Sequence, residues 1–333
     1  MPATRRTDVV LLAVAVVWGS SYLSAKTATA TTPVLLVLFL RYALSALACV
    51  AVVTARRAST GPPTRDEVLR GSLLGVTQAA VLVLETYGVA HTSAANAGLI
   101  ISLTLVLTPL LDRVGRPGGL PRTFFLAAGV CVAGVGLLVS GTGLRAPGAG
   151  DLLMLAAAVV RAGHVVLVGR LTTGRAIRPL QLTTVQLVVG TALFLPGTAA
   201  GLPELARVDA ATWAQLVYLA LFCGLFAFLA QTWAVQRTSP TRASLLLGTE
   251  PVWALLVGIG FGDEHLTALS ALGAALIVTG TYWGQAVERR TRATGYPSAR
   301  SADTRSARKP WDQATRSSSY PRGEHSTTSS SPR

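Results

Sequence analysis

The stretch DVVLLAVAVVWGSSYLSAKTAT, residues 8–29, determines how the rest of the chain is interpreted. It is apolar over about 20 residues, and that number of residues rising 1.5 Å each matches a hydrocarbon core of roughly 30 Å. Similar stretches recur along the chain as far as Glu288. The predicted spans are residues 9–29, 33–55, 71–90, 94–112, 123–141, 151–169, 180–200, 213–235, 241–261 and 266–287. The sequence therefore predicts an all-α membrane protein with ten transmembrane helices.

The composition agrees with a membrane protein and not with a soluble domain. Of the 333 residues, 51% are hydrophobic and only 13% are charged, and the mean hydropathy is +0.51. The first run follows Arg5 and Arg6 but is too long for the apolar part of a signal peptide, so we do not expect cleavage. Cys49, Cys131 and Cys223 lie in three different spans without metal-ligand spacing, and neither a metal nor a cofactor is expected.

The basic residues that give the net charge of +14 are distributed according to the predicted membrane topology. With a cytoplasmic N-terminus, the loops on the inner side carry Arg56, Arg57, Arg65, Arg70, Arg113, Arg116, Arg122, Arg170, Arg175, Arg178, Arg237 and Arg242. The loops on the outer side carry only Lys26, Arg145 and Arg207. Because basic residues are retained on the cytoplasmic side, both termini are predicted to be cytoplasmic in a multi-pass protein of the inner cell membrane. The charge therefore does not indicate nucleic-acid binding.

After Glu288 the composition changes to Ser, Thr, Arg and Pro with almost no aliphatic residues. A segment of this kind cannot bury enough apolar area to offset its chain entropy. We therefore predict that residues 289–333 form a disordered basic cytoplasmic tail. Two roles are open for it: binding to anionic lipid, or a solvated tail that helps to retain the orientation of the chain.

The chain contains an internal repeat. An offset of 146 positions pairs Thr86 with Thr232, Ala97 with Ala243, Val106 with Val252 and Gly134 with Gly280, and an offset of 143 pairs Asp8 with Asp151. Two halves of five spans each follow, residues 8–142 and 148–288. An odd number of spans per half places the second half upside down in the membrane. Such inverted repeats are typical of transporters, with the substrate path between the halves.

Several motifs resemble one family. They are Trp18-Gly19-Ser20-Ser21-Tyr22, Arg41 and Thr92-Ser93-Ala94-Ala95 in the first half, and the run from Arg237 to Leu247, Glu250-Pro251-Val252 and Gly262-Asp263-Glu264 in the second. Together they resemble the drug/metabolite transporter superfamily, in its ten-helix EamA-like branch, over about residues 8–287. The resemblance implies that the segment around Glu250 lines a central cavity.

Ionisable residues within the predicted spans are candidates for function, because each is costly in a bilayer unless it is paired or hydrated. Glu85 and Gln231 are repeat equivalents, and Arg161 lies deep enough in its span to need a partner. Glu85 is the carboxylate expected to contact Arg161, since a guanidinium can bridge their difference in depth. Pro251 removes a backbone donor beside Glu250 and opens the helix there.

The predicted substrate-binding cavity is lined by Trp18, Ser21, Tyr22, Glu85, Tyr87, Asn96, Thr104, Arg161, His164, Gln231, Trp233 and Glu250. Structural explanations are open for some of them: a paired carboxylate at Glu85, a hydrogen-bonded core residue at His164, and an interfacial aromatic at Tyr87. Arg41 is expected to be structural. Small residues at Gly129-x-x-x-Ala133 and Ala271-x-x-x-Ala275 predict helix packing, either between the halves or between the protomers of a homodimer.

These features predict a secondary transporter that moves a small organic metabolite or drug-like compound by alternating access. Export is the favoured direction, and import stays open. Its partners would be this small molecule and the lipid bilayer. No Walker A motif is present, so ATP is not expected to drive transport. Two alternatives are a membrane-embedded lipid-modifying enzyme and a non-transporting assembly subunit. An enzyme is disfavoured because the four histidines are dispersed and no hydrolase motif occurs.

Overall fold

The computed structural model describes residues 3–56, 61–92, 100–114, 120–140, 148–198, 201–261 and 267–295. All regular secondary structure in these ranges is helical. The chain divides into two units, Met1–Thr291 and Arg292–Arg333. Residues 296–333, which make up most of the predicted disordered tail, lie outside the described ranges.

The helices follow the predicted apolar runs. In the first half they are α1 (Ala3–Thr31), α2 (Val34–Ala55), α3 (Arg65–His91), α4 (Thr104–Arg113) and α5 (Arg122–Ser140). In the second half they are α6 (Ala149–Thr172), α7 (Pro179–Phe194), α8 (Ala210–Val235), α9 (Pro240–Leu247), α10 (Glu250–Phe261) and α11 (Ala268–Gly295). The predicted ninth span is thus two helices. The break has a physical cause, because the ring of Pro251 clashes with a continued helix at the carbonyl of Leu247.

Within the described ranges, six helices are long and apolar enough to cross a membrane. Their bounds are Arg5–Thr31, Val34–Ala55, Arg65–His91, Ala149–Thr172, Pro179–Thr198 and Ala210–Val235. Large apolar side chains project from the outer faces of these helices; Leu47 and Leu152 each expose 67% of their surface. Such exposure suits contact with lipid and not with water. The protein is therefore a multi-pass membrane protein.

Polar caps fix the ends of several helices. Thr64 and Glu67 form a capping box at the start of α3, with reciprocal hydrogen bonds of 3.2 and 2.8 Å. The fully buried Glu67 also accepts a hydrogen bond of 2.6 Å from Arg178, immediately before α7. The hydrogen bonds with Glu67 raise the pKa of Arg178 above its ordinary value. This cluster holds the starts of α3 and α7 together.

Helices α5 and α11 pack through reciprocal contacts. A Cβ atom added at Gly134 would lie 2.7 Å from the carbonyl oxygen of Gly273, and one added at Gly280 would lie 2.9 Å from that of Ala127. The offset of 146 converts Gly134 into Gly280 and Ala127 into Gly273. Each contact thus becomes the other when the two repeats are exchanged in the sequence.

The predicted small-residue motifs take no part in this contact. A Cβ atom added at Gly129 would meet no atom of the described residues within 4 Å, and Ala133, Ala271 and Ala275 are exposed. The close approach of α5 to α11 is made by Gly134 and Gly280 instead. Packing between two protomers through the exposed motifs stays a prediction.

Candidate functional site

A cavity of about 700 Å³, its opening included, lies among α1, α2, α3, α6, α8 and α10. The lining residues combine charged, amide and apolar side chains: Trp18, Ser21, Tyr22, Ala25, Thr29, Arg41, Gln78, Val81, Leu82, Glu85, Thr86, Val89, Arg161, His164, Phe228, Gln231 and Glu250.

Arg161 on α6 joins two carboxylates from different helices. Its Nη2 donates to Oε2 of Glu250 at 2.8 Å, and its Nη1 donates to Oε1 of Glu85 at 3.2 Å. The contact with Glu85 was predicted from the sequence, whereas the closer contact with Glu250 was not. Because a planar guanidinium can serve two acceptors at once, this residue links α3, α6 and α10.

Glu250 is the more fully engaged of the two carboxylates. The hydroxyl of Tyr22 donates to its Oε1 at 2.6 Å, while Oε2 receives the bond from Arg161. It is the first residue of α10, where the helix dipole favours a negative charge. Its side chain is 6% exposed, against 15% for that of Glu85. Glu85 therefore retains more capacity to accept a further donor.

Trp18 connects the ion cluster to an irregular part of α8. The guanidinium of Arg161 lies 4.7 Å from the centroid of its ring. Its Nε1 donates at 3.2 Å to the carbonyl of Cys223, within a π-helical segment at Leu219–Phe226. Such segments are frequent at functional sites because the altered ladder shifts the backbone carbonyls. The segment thus positions the aromatic face beneath the cation.

His164 and Arg41 differ in their hydrogen bonding. Nδ1 of His164 is 2.8 Å from the hydroxyl of Thr77, so this buried ring has a structural partner. Arg41 on α2 is 7% exposed, and its Nε has no hydrogen-bond partner among the described residues. The sequence favoured a structural role for Arg41, but the structure places it in the cavity lining.

A second cavity, of about 350 Å³ with its opening included, also reaches the ion cluster. Its lining is rich in hydroxyl groups and consists of Ile101, Ser102, Thr104, Thr108, Arg161, Val165, Ser244, Leu247, Gly248, Glu250 and Pro251. The two cavities share Arg161 and Glu250. This ion pair therefore forms part of the wall of both cavities.

The predicted lining residues fall into four groups according to where the structure places them. The first cavity contains Trp18, Ser21, Tyr22, Glu85, Arg161, His164, Gln231 and Glu250, and the second contains Thr104, Arg161 and Glu250. Asn96 lies outside the described residues. Tyr87 and Trp233 are in neither of the two linings; Tyr87 stacks on His91, and Trp233 lies beneath Arg237.

Helix geometry explains these last two positions. Tyr87 and Trp233 each follow a lining residue, Glu85 and Gln231, by two positions. Two positions correspond to about 200° around a helix, so the side chains point to opposite sides. The same geometry identifies residues that sequence reasoning missed. Gln78, Val81, Leu82 and Val89 line the cavity and are spaced three, four or seven residues from Glu85.

The two halves of the chain each match one family model. Residues 5–140 and residues 148–283 match the EamA-like transporter family. The chain belongs to this family. It is thus a membrane transporter of the drug/metabolite transporter superfamily, as the sequence motifs predicted. The matches cover both apolar halves and therefore all the helices that form the two cavities.

Individual relatives are distant but cover most of the chain. The inner membrane transporter YedA of Escherichia coli strain K12 is 26% identical over 274 residues, covering 80% of this chain and 87% of YedA. The transporter YyaM of Bacillus subtilis strain 168 is 22% identical over 209 residues, covering 61% of this chain and 68% of YyaM. A protein of Streptantibioticus cattleyicolor named as a probable terminal-alkyne amino-acid exporter is 27% identical over 225 residues, covering 66% of this chain and 73% of that protein.

A crystal structure shares the fold of this EamA-like transporter. The two superpose with a TM-score of 0.69 at 18% sequence identity, covering 86% of this chain and 98% of the other. At this identity the similarity concerns the fold alone. The family and the relatives are named as transporters, which disfavours the enzyme alternative.

Proposed function

We propose that this EamA-like protein is a secondary transporter that exports a small organic metabolite or drug-like compound across the inner membrane by alternating access. One observation carries the proposal: the ion pair of Arg161 and Glu250 belongs to the linings of two cavities. Opening this pair would join the cavities into a path between the halves. The direction of transport is supported by the relative that is named as an exporter.

The proposed topology has ten spans in two inverted repeats with both termini in the cytoplasm. It is supported by the reciprocal contacts of Gly134 and Gly280 and by the distribution of arginines. Under this topology, Thr29 and Val89 bring the larger cavity toward the outer side. Thr108 and Ser244 of the smaller cavity would lie toward the cytoplasm. The structure would then correspond to an outward-facing state with the ion pair closed.

Labelling of single cysteines is expected to establish the orientation. Pro63→Cys and Thr173→Cys should react with a membrane-impermeant maleimide only in inside-out vesicles. Gly148→Cys and Ala206→Cys should react only in intact cells. The unmodified chain is the control, because Cys49, Cys131 and Cys223 are buried. Reversed labelling at two of the four sites would contradict the proposed topology.

Flux in vesicles tests the transport function itself. Purified protein reconstituted into liposomes should move labelled compounds from a metabolite panel with saturable kinetics, whereas protein-free liposomes should not. Neither an enzyme nor an assembly subunit needs such vectorial flux. Folded protein that moves no member of a broad panel, with or without a proton gradient, would contradict the proposal.

A further inference from the structure

The smaller cavity borders the break between α9 and α10. Leu247 and Gly248 are in its lining, and Gly248 can contribute only main-chain atoms because it has no side chain. Pro251 has no amide hydrogen, so the carbonyl of Leu247 cannot receive the usual helical hydrogen bond. The amide of Val252, which would reach Gly248 in a continued helix, donates to the carbonyl of Thr249 at 3.0 Å. Main-chain oxygens at the end of α9 therefore retain acceptor capacity beside this cavity.

Hydroxyl groups form another part of the lining. Thr108 on α4 is fully buried, and its Oγ1 has no hydrogen-bond partner among the described residues. The hydroxyl of Ser244 donates to the carbonyl of Thr241 at 2.9 Å, and that of Thr104 donates to the carbonyl of Ile101 at 2.9 Å. Both of these oxygens can still accept. A buried hydroxyl without a protein partner calls for a water molecule or an ion beside it.

Two contacts fix how α4 lies against α9. At one end, the hydroxyl of Thr241 lies 3.5 Å from Oδ2 of Asp112. At the other end, a Cβ atom added at Gly248 would overlap the side chain of Leu105. The two helices therefore run antiparallel. Thr108 lies between the two contacts, on the part of α4 that faces α9 just before the break.

The charges around the smaller cavity favour a cation. Arg161 and Glu250 line it as an ion pair, and Glu85 also contacts Arg161. These three groups together carry one formal negative charge. Arg41 belongs to the lining of the larger cavity and not to that of the smaller one. The carboxyl end of α9 adds a partial negative charge at the break. Neutral oxygens with a single excess charge suit a monovalent cation, whereas divalent cations are usually bound through several carboxylates.

We propose that the smaller cavity binds one sodium ion at the break between α9 and α10. Its ligands are the hydroxyl oxygens of Thr108 and Ser244 and the carbonyl oxygens of Leu247 and Gly248. Carbonyls at interrupted helices coordinate sodium in secondary transporters. The binding site does not depend on the proposed function, whereas the use of the ion to drive transport rests on it.

Sodium binding is measurable on the full chain in detergent, without any transported compound. Sodium chloride should raise the midpoint of thermal unfolding at concentrations where potassium chloride and choline chloride of equal ionic strength do not. Radioactive sodium should bind saturably to the same preparation. Equal stabilisation by the three salts, without saturable sodium binding, would overturn the proposal, because a water molecule would then be the partner of these oxygens.

Thr108→Val removes one proposed ligand without removing a protein hydrogen bond. Stability in the absence of sodium should be unchanged or higher, because the hydroxyl has no protein partner to lose. The affinity for sodium should fall by roughly 10- to 100-fold, the value of one interaction with a charged group. Thr108→Ser keeps the oxygen and should restore most of the affinity.

Thr183→Val is the matched control for this substitution. Thr183 on α7 is also fully buried, and its hydroxyl also has no partner among the described residues, but it is in the lining of neither cavity. This variant should bind sodium like the unmodified chain. Equal sodium affinities of the two valine variants would contradict the role of Thr108.

Pro251→Ala tests the main-chain ligands. The amide of an alanine can donate to the carbonyl of Leu247 and thus compete with the ion, so we expect a loss of sodium affinity of similar size. An unchanged affinity would show that the break is not part of the site.

Flux measurements separate this proposal from the transport function. Flux in vesicles that requires a sodium gradient would support both. Saturable sodium binding without flux of any compound would support the site and contradict the transport function. Flux that is equal in sodium and potassium, from protein that does not bind sodium, would support transport and overturn the site.

Discussion

Replacing Arg161 with glutamine is expected to lower both the stability and the flux of the protein severely. The change removes the cation that joins Glu85 at 3.2 Å and Glu250 at 2.8 Å. Two buried carboxylates would then face one another without compensation, and breaking such a cluster costs roughly 3–5 kcal/mol. The measurements are the midpoint of thermal unfolding in detergent and the initial rate of flux in vesicles.

Single and double substitutions are expected to show how much of this loss of stability is due to each carboxylate. Glu250→Gln should cost more stability than Glu85→Gln, because Glu250 makes the shorter contact and also accepts from Tyr22. Combining Arg161→Gln with Glu250→Gln should recover part of the loss, since the second change removes a charge left unpaired by the first. Asp66→Asn, in the exposed pair with Arg70, is the control and should cost at most about 1 kcal/mol. Strictly additive losses would show that the ion cluster does not form.

The sequence predicted the contact of Arg161 with Glu85 but missed its contact with Glu250, and this difference has a physical reason. Arg161 and Glu85 could be matched because each lies inside a long regular span, where depth follows from the rise per residue. Glu250 starts a helix after a break, so counting residues does not give its depth reliably. Its position depends instead on the packing of α10 against α1, which is a tertiary property.

The internal repeat predicted which residues are equivalent, but it did not predict which side of a helix each side chain faces. The offset of 146 identified Glu85 and Gln231 as equivalents, and both line the larger cavity. The same offset relates Tyr87 to Trp233, but neither lies in that lining. Equivalence under a repeat does not state which side of a helix faces the cavity. Combining the repeat with helical periodicity would have favoured Gln78 over Tyr87.

An irregularity in a helix could be predicted from the sequence where a single residue causes it. Pro251 explains the break between α9 and α10, because it lacks an amide donor and obstructs the preceding turn. The π-helical segment at Leu219–Phe226 contains no proline. It is accompanied instead by tertiary hydrogen bonds, such as that from the Ser45 hydroxyl to the Ala220 carbonyl at 2.7 Å. Contacts of this kind involve distant residues and leave no local pattern.

Gly19→Ala is expected to disrupt the site through the backbone of α10. A Cβ atom added at Gly19 would lie 2.6 Å from the carbonyl oxygen of Glu250 and 2.9 Å from the amide nitrogen of Ala254. Both are backbone atoms, so only a movement of α1 or α10 can relieve the clash. That movement would lengthen the hydrogen bond from Tyr22 to Glu250, now 2.6 Å. We expect overpacking to cost about 1–3 kcal/mol of stability.

The effect on flux should exceed the effect of an ordinary helix substitution. Losing one charge-assisted hydrogen bond corresponds to roughly a 10- to 100-fold lower flux. Gly163→Ala is the matched control, because Gly163 lies on α6 near Arg161 and an added Cβ atom there meets no atom within 4 Å in the described part of the chain. Alanine is favoured over glycine within helices, so this control should be neutral or more stable by up to about 1 kcal/mol. Equal behaviour of the two variants would show that α1 does not position Glu250.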